Sequence, residues 1–189
     1  NAPLALQDGG MVLPVHFELG IKYPMALRFD NQGRYRGMVR MSRRPYLLQP
    51  SVVPQSAQQW LAFMRDGRPN GKVAVAQTSD GGQRWTDLPD LVLDNPDAAV
   101  AGLGAGSGEI LLAHNSSVAS RGTLDLSASS DGHRWTLLRT LEQGGQDDEF
   151  SYPAMLWTED GLWITYTVDR QRIAWQRMAS GTAPFGGQP

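Results

Sequence analysis

The chain has 189 residues, of which 41% are hydrophobic and 19% charged, and its formal net charge is −2. This composition supports one domain with a core and excludes extended disorder or a strongly basic surface for nucleic acid. No apolar run reaches the roughly 18 residues that a membrane-spanning helix needs. The absence of cysteine excludes disulfides and thiolate metal sites. His16, His114 and His133 are far apart in the sequence, so neither a metal nor a cofactor is expected, and the compartment stays open.

Short segments rich in β-branched, aromatic or alternating apolar residues follow one another along the chain, separated by turns that contain glycine or proline. This pattern predicts an all-β chain, and no segment is amphipathic enough to predict a helix. The predicted strands are 11–18, 23–29, 35–41, 47–53, 60–65, 72–77, 85–93, 98–103, 110–114, 124–128, 135–141, 152–158, 162–168 and 172–178.

The ends of the chain are expected to lie outside the folded part. Residues 1–10 are interpreted as a tag remnant, Asn1-Ala2, followed by a loose arm, and residues 179–189 as a flexible tail. The predicted domain therefore covers residues 11–178. Within its first strand, Pro14 lacks an amide hydrogen and indicates a sheet edge or a bulge.

Two loops share one motif. In residues 78–85 the pattern Ser/Thr-x-Asp-x-Gly-x-x-Trp is complete, and this pattern is the Asp-box. Asp80 is expected to bind backbone amides of its own turn, glycine allows positive φ, and Trp85 returns an apolar ring under the loop. A shorter copy at 129–135 has lost or shifted its second glycine. A repeat of about 50 residues built from short strands predicts propeller blades; the alternative is two unrelated hairpin loops.

With these motifs the chain resembles the sialidase (neuraminidase) superfamily, in its bacterial branch with Asp-box (BNR) repeats. The stretches that carry the resemblance are 48–53, 78–85, 93–97, 149–154 and 160–167. The resemblance implies a six-bladed β-propeller, of which this chain would supply about three to four blades as the C-terminal half. The family's opening Arg-Ile-Pro stretch and acid/base aspartate have no match, which implies a fragment of a longer protein or an association of two copies.

The resemblance also implies a site for an acidic sugar. Arg65 and Arg121 match two of the three arginines that bind the carboxylate of sialic acid, with the third expected in the missing half, and guanidinium groups suit that task. Tyr152 matches the nucleophile, which is a tyrosine in sialidases. Arg68 is the competing position for Arg65, and Phe150 is the competing alignment for Tyr152. Both arginines could instead be solvated loop residues.

A nucleophilic tyrosine needs a base, and the stretch that corresponds to the family's glutamate, Gln49-Pro50-Ser51-Val52, has no carboxylate. Asp148 or Glu149 could substitute if their loop folds inward. The sequence therefore leaves two functions open. One is a sialidase-like exo-glycosidase, a glycoside hydrolase if the complete protein is active, of which this chain is an inactive part. The other is a non-catalytic propeller module that binds a glycan or a protein. Nucleic acid and membranes are not expected partners.

Overall fold

A computed structural model describes residues 2–69, 71–106 and 108–179. The strands are β1 (Leu4–Ala5), β2 (Met11–Phe17), β3 (Tyr23–Phe29), β4 (Tyr35–Arg40), β5 (Leu47–Pro54), β6 (Trp60–Asp66), β7 (Ala74–Thr78), β8 (Thr86–Asp87), β9 (Ala101–Gly104), β10 (Ile110–Asn115), β11 (Thr123–Ser129), β12 (Thr136–Gln143), β13 (Phe150–Thr158), β14 (Gly161–Val168) and β15 (Arg172–Ala179). Within this part of the chain, no helix is long and apolar enough to cross a bilayer.

The strands form four antiparallel sheets that follow the order of the chain, which we call blades 1 to 4. Blades 1, 2 and 3 are β1–β4, β5–β8 and β9–β12, and blade 4 is β13–β15. The first strand of blade 2, β5, packs against β2 and β9, and β9 in turn packs against β13. The prediction of an all-β propeller with three to four blades is therefore confirmed, and the number is four.

Apolar side chains fill the spaces between neighbouring blades. Phe63 of blade 2 is fully buried with Ile110 and Leu112 of blade 3. Burial of a side chain of this size contributes about 2 to 3 kcal/mol relative to exposure. The two blades approach so closely that a methyl group added at Gly102 would lie 2.8 Å from a Val53 methyl and 3.1 Å from the Phe63 ring. Close packing of this kind fixes the position of each blade relative to the next.

Two segments differ from the sequence-based expectation. The prediction of one strand over residues 85–93 is wrong, since only Thr86–Asp87 is a strand. Pro89 has no amide hydrogen and cannot continue the ladder. The Leu88 and Leu91 amides still donate to the carbonyls of Val75 and Val73. The segment expected to be a loose arm contains β1. Because β1 begins at Leu4, opposite Val12, no strand in the described part of the chain pairs with this edge of β2 beside Pro14. Residues 180–189 of the expected tail lie outside the described residues.

The first Asp-box folds around its aspartate. Asp80 Oδ1 accepts hydrogen bonds from the backbone amides of Gln83 and Arg84, at 2.9 Å each, and from the Thr78 hydroxyl at 2.8 Å. The Gly82 amide donates to the Thr78 hydroxyl oxygen at 3.0 Å. Hydrogen bonds to Arg84, Thr78 and Gln83 outweigh the effect of burial, so the pKa of Asp80 is lowered.

The second Asp-box repeats this arrangement with one residue fewer. Asp131 Oδ1 accepts from the His133 and Arg134 amides at 2.8 Å each, and the Gly132 amide donates to the Ser129 hydroxyl oxygen at 2.8 Å. Gly132 therefore takes the place of the second glycine in the longer box. Backbone hydrogen bonds from Arg134 and His133 lower the pKa of Asp131 to about 2.

The tryptophans of the boxes pack toward the core. Trp135 meets the Phe63 ring edge-to-face with centroids 5.4 Å apart, and Trp85 lies 6.4 Å from Trp60. Trp85 is half-buried rather than largely buried. Both boxes lie at one end of the blades, where β7 and β11 finish; we call this the box end. The opposite end, where β5 and β13 begin, is the site end.

Candidate functional site

Unusual backbone conformations collect at the site end. Six residues other than glycine have positive φ in the described part of the chain, and every one of them lies there. They are Tyr46, Gln49, Asp97, Tyr152, Asp169 and Arg170, with φ between 50° and 64°. Left-handed backbone is strained for residues that carry a Cβ, and such residues cluster at functional sites. This end of the blades is therefore the candidate site.

Two of these residues occupy the same position in different blades. On β5, Gln49 and Pro50 stand opposite Met64 alone, because the register shifts between Leu48 and Ser51. On β13, Tyr152 and Pro153 likewise stand opposite a single residue, with the shift between Ser151 and Ala154. Each pair forms a β-bulge, which bends the strand and redirects a side chain. Blades 2 and 4 thus present Gln49 and Tyr152 in the same way.

Asp97 enters blade 3 in a comparable conformation, with φ of 52°. Buried Asn95 holds the turn: its side-chain amide donates to the Ala98 carbonyl at 2.8 Å and accepts from the Ala98 amide at 2.9 Å. This pair of hydrogen bonds locks the backbone on either side of Asp97. The turn at residues 95–97 thus directs the Asp97 carboxylate into the site.

Arg65 is the residue at which these side chains meet. Its Nε donates to Asp97 Oδ1 at 2.6 Å, and its Nη1 donates to Gln49 Oε1 at 3.2 Å. The hydrogen bond to Asp97 raises the pKa of Arg65 against the opposing effect of burial, and the nearby Tyr152 hydroxyl adds to the rise. The same hydrogen bond lowers the pKa of Asp97. Both groups are therefore charged at neutral pH.

Arg121 approaches Tyr152 from the loop between β10 and β11. The side-chain amide of Asn115, which is fully buried, donates to the carbonyls of Arg121 and Phe150 at 3.2 and 2.8 Å, and so ties this loop to β13. The guanidinium carbon of Arg121 lies 5.9 Å from the centre of the Tyr152 ring, and Nη2 donates to the Asp97 carbonyl. Arg121 Nη1 binds Glu149 Oε1 at 2.9 Å.

A third guanidinium, Arg170, completes the cluster. Arg170 lies in the tight turn between β14 and β15, and its Nε binds Glu149 Oε2 at 2.9 Å. The Glu149 amide donates to Asp169 Oδ1 at 2.9 Å, and the Asp169 amide donates to the Glu149 carbonyl at 2.8 Å, which fixes the turn against β13. Burial raises the pKa of Glu149, but hydrogen bonds from Ser151, Arg170 and Arg121 outweigh it and lower the pKa.

The structure brings Arg65, Arg121 and Tyr152 into one cluster, and it separates the competing residues from it. Arg68 binds buried Asp66 and Asp90 instead. The Phe150 ring packs in the core against Tyr166, with centroids 6.5 Å apart, whereas Tyr152 is 43% exposed. Asp148 caps its own loop through the Gly145 amide at 2.6 Å, while Glu149 does fold inward.

Sequence reasoning missed the contribution of Arg170 and the direct contact of Gln49 and Asp97 with Arg65. A turn made of Asp169 and Arg170 lacks the glycine that usually marks positive φ at a hairpin, so no local signal pointed to it. The parallel between Gln49-Pro50 and Tyr152-Pro153 was a usable signal. Three guanidinium groups, those of Arg65, Arg121 and Arg170, gather at the site end, and guanidinium groups suit the binding of a carboxylate.

Comparisons with known proteins agree with the fold. The family model described as BNR repeat-like domain matches residues 1–164. No curated protein matches the chain. Among solved structures, the Hadza microbial sialidase Hz136 superimposes with a TM-score of 0.75 and 18% identity, covering 94% of this chain and 36% of that one.

Two further sialidases have the same fold. The Trypanosoma rangeli sialidase in complex with sialic acid gives a TM-score of 0.70 at 15% identity, over 90% of this chain and 29% of its own. The K499G mutant of NanB sialidase from Streptococcus pneumoniae gives 0.67 at 13% identity, over 87% and 26%. The chain thus spans roughly a third or less of these neighbours. Because the family model covers most of the sequence, the chain belongs to the BNR repeat-like domain family.

Proposed function

We propose that this chain is part of a sialidase-like glycan-processing protein and that its site end binds sialic acid or a related acidic sugar. Arg65 and Arg121 would bind the sugar's carboxylate, with Arg170 as a further cation, and Tyr152 would lie beneath the anomeric carbon as the nucleophile. The observation that carries the proposal is the meeting of Arg65, Arg121 and Tyr152 around the Asp97 turn. The ligand class is supported by the structural neighbour from Trypanosoma rangeli, a sialidase in complex with sialic acid.

The test is a binding titration of the purified chain with sialic acid, followed by calorimetry or NMR. Charge-assisted hydrogen bonds are worth about 1.5 to 3 kcal/mol, so Arg65→Ala and Arg121→Ala should each weaken binding tenfold or more. Arg139→Ala, an exposed arginine on the outer strand β12, is the matched control and should bind like the wild type. Equal affinity in all the variants would contradict the proposed site.

A second function, a module that binds the glycan without cleaving it, is favoured by Gln49. Gln49 is neutral and its side-chain oxygen accepts a hydrogen bond from Arg65, whereas a nucleophilic tyrosine needs a basic partner. We therefore expect the 189-residue chain to bind but not to hydrolyse a fluorogenic sialoside. Hydrolysis that Tyr152→Phe abolishes would show that the chain alone is an enzyme.

We further propose that the two terminal blades are covered in the working protein. One face of blade 1 carries a partly exposed row of apolar side chains, next to Arg40 at one end. We call this row the first flank, and its members are Met11, Leu13, Val15, Met25, Leu27, Phe29 and Met38. Blade 4 exposes Leu156, Ile173 and Trp175 beside Trp163, and we call these the last flank. The partner would be either the missing N-terminal half or a second copy of the chain.

A further inference from the structure

Blades 2, 3 and 4 each place one residue with positive φ near the guanidinium group of Arg65. Gln49, Asp97 and Tyr152 have φ of 50°, 52° and 54°. The first two bond Arg65 directly, and the Tyr152 hydroxyl contributes to the raised pKa of Arg65. Blades 2, 3 and 4 thus repeat one feature, a residue with positive φ whose side chain lies near Arg65.

The strain indicates that the side chains are needed at these positions. Glycine adopts positive φ freely, and glycines fill this role in both Asp-boxes at the box end. At the site end the chain keeps a glutamine, an aspartate and a tyrosine in the left-handed region, which disfavours glutamine and tyrosine more than aspartate. Such strain persists where the surroundings impose it, as Asn95 does beside Asp97, and where the side chain has a task.

Holding Arg65 does not use all the polar atoms of these side chains. Asp97 is ion-paired through Oδ1 and its side chain is 49% exposed, so Oδ2 remains free to accept, among the contacts of the described residues. Gln49 bonds through Oε1 alone, which leaves its side-chain NH2 group as a free donor in that same set. Tyr152 is 43% exposed. One acceptor, one donor and one hydroxyl therefore surround a cation.

We propose that Gln49 and Asp97 contact the ligand directly, beside Tyr152, and read its hydroxyl or amide groups. Asp97 Oδ2 accepts a hydrogen bond from a ligand hydroxyl, and the Gln49 amide donates to a ligand oxygen, while the arginines bind the carboxylate. A polyhydroxylated acid fits this set better than a simple carboxylate. This inference rests on the proposed function, because it assigns further residues to the same ligand.

The test compares two ligands that share a carboxylate. Sialic acid offers hydroxyl and amide groups, whereas pyruvate offers only the acid and an adjacent carbonyl. Asp97→Asn keeps the shape and tolerates positive φ, and Gln49→Met keeps the length without the amide. Asp94→Asn and Gln77→Met are the matched controls: Asp94 is ion-paired with Lys72, and Gln77 is exposed on β7. Affinities for the 189-residue chain are measured by NMR titration.

We expect Asp97→Asn and Gln49→Met to weaken sialic acid binding at least fivefold more than they weaken pyruvate binding, with both controls unchanged for either ligand. Equal losses for the two ligands would mean that the residues act only by positioning Arg65, and would overturn the inference. Wild-type affinity in both variants would also overturn it while leaving the proposed function intact. If the wild-type chain binds neither ligand, the proposed function fails and the inference fails with it.

The backbone strain at these positions can be tested separately from ligand binding, by thermal stability. At Asp97 and Gln49, replacement by glycine should give a higher melting temperature than replacement by alanine, since both remove the side chain and only glycine relieves positive φ. At Thr165, in the middle of β14, the order should reverse because alanine suits a strand better than glycine. Alanine variants as stable as the glycine variants at Asp97 and Gln49 would contradict backbone strain at these two positions.

Discussion

Asp131 is an exposed residue whose ionised carboxylate is stabilised by hydrogen bonds from its own loop. Hydrogen bonds from the Arg134 and His133 amides lower its pKa from 3.8 to about 2. A carboxylate with a depressed pKa contributes stability that is fully present above its unfolded-state pKa and is lost as pH falls through the folded-state value. The second Asp-box should therefore lose this contribution as the pH falls from 3.8 toward about 2.

Chemical denaturation of the wild type and Asp131→Ala at several pH values measures this effect. The difference in the free energy of unfolding should be constant from neutral pH to about pH 5 and should narrow below about pH 4. Asp160→Ala, at the exposed β13–β14 turn, is the control and should show a smaller difference at every pH. A difference that stays constant down to about pH 2 would mean that the charge of Asp131 does not support the loop.

Single residues of the site were predictable to different degrees. Tyr152 was matched to the nucleophile with Phe150 left as the alternative, and in the structure Tyr152 and Pro153 form the bulge on β13 at the site end. Nothing in Asn-Pro-Asp-Ala-Ala indicates that the Asp97 side chain binds an arginine 32 positions away. Arg170 was missed because positive φ is encoded reliably only by glycine and asparagine.

At the scale of elements, each Asp-box glycine fits against a neighbouring side chain as well as having positive φ. A methyl group added at Gly82, where φ is 82°, would lie 2.6 Å from the Trp60 ring. At Gly33, where φ is 74°, nothing lies within 4 Å of the same methyl group. The two glycines thus share the backbone requirement and differ in the space around them.

We expect Gly33→Ala to cost about 1 kcal/mol from backbone strain, and Gly82→Ala to cost about 2 to 4 kcal/mol because overpacking adds to the strain. Urea denaturation of both variants gives the two values directly. Equal costs would show that the box tolerates a side chain at Gly82 and that the contact with Trp60 has no energetic role.

The elements themselves were largely predictable, because alternation and turn residues mark strands well. The errors came from tertiary effects. The segment after Trp85 looks like a strand, but Pro89 interrupts its ladder after Asp87. Leu4 and Ala5 are too few to show a pattern, and they form β1 only because Met11 and Val12 lie beside them. The spacing of the boxes predicted propeller blades, whereas their number was expected from the resemblance only as three to four.

At the scale of the whole molecule, the first and last flanks leave large apolar surfaces exposed. Contiguous apolar patches beyond a few hundred Å² are uncommon on monomeric proteins and mark interaction surfaces. We expect the purified chain to form a dimer at micromolar concentration, since two copies can cover each other's flanks. Leu27 lies on the first flank between Leu13 and Met38, so Leu27→Glu should shift the equilibrium toward monomer.

Sedimentation velocity measures this assembly directly. Leu137→Glu, an exposed position on the outer strand β12 of blade 3, is the control and should leave the dimer unchanged. A folded monomer of 20.7 kDa that stays soluble at high concentration would contradict self-association, and would mean that the flanks are covered within the chain.

A crystal structure of the chain soaked with sialic acid would show whether the site end binds an acidic sugar over Tyr152. We predict that the sugar's carboxylate is bonded to the Arg65 and Arg121 guanidinium groups and that its anomeric carbon faces the Tyr152 hydroxyl. Sialic acid bound at the box end, or a site end that remains unoccupied at millimolar concentrations of the sugar, would contradict the account.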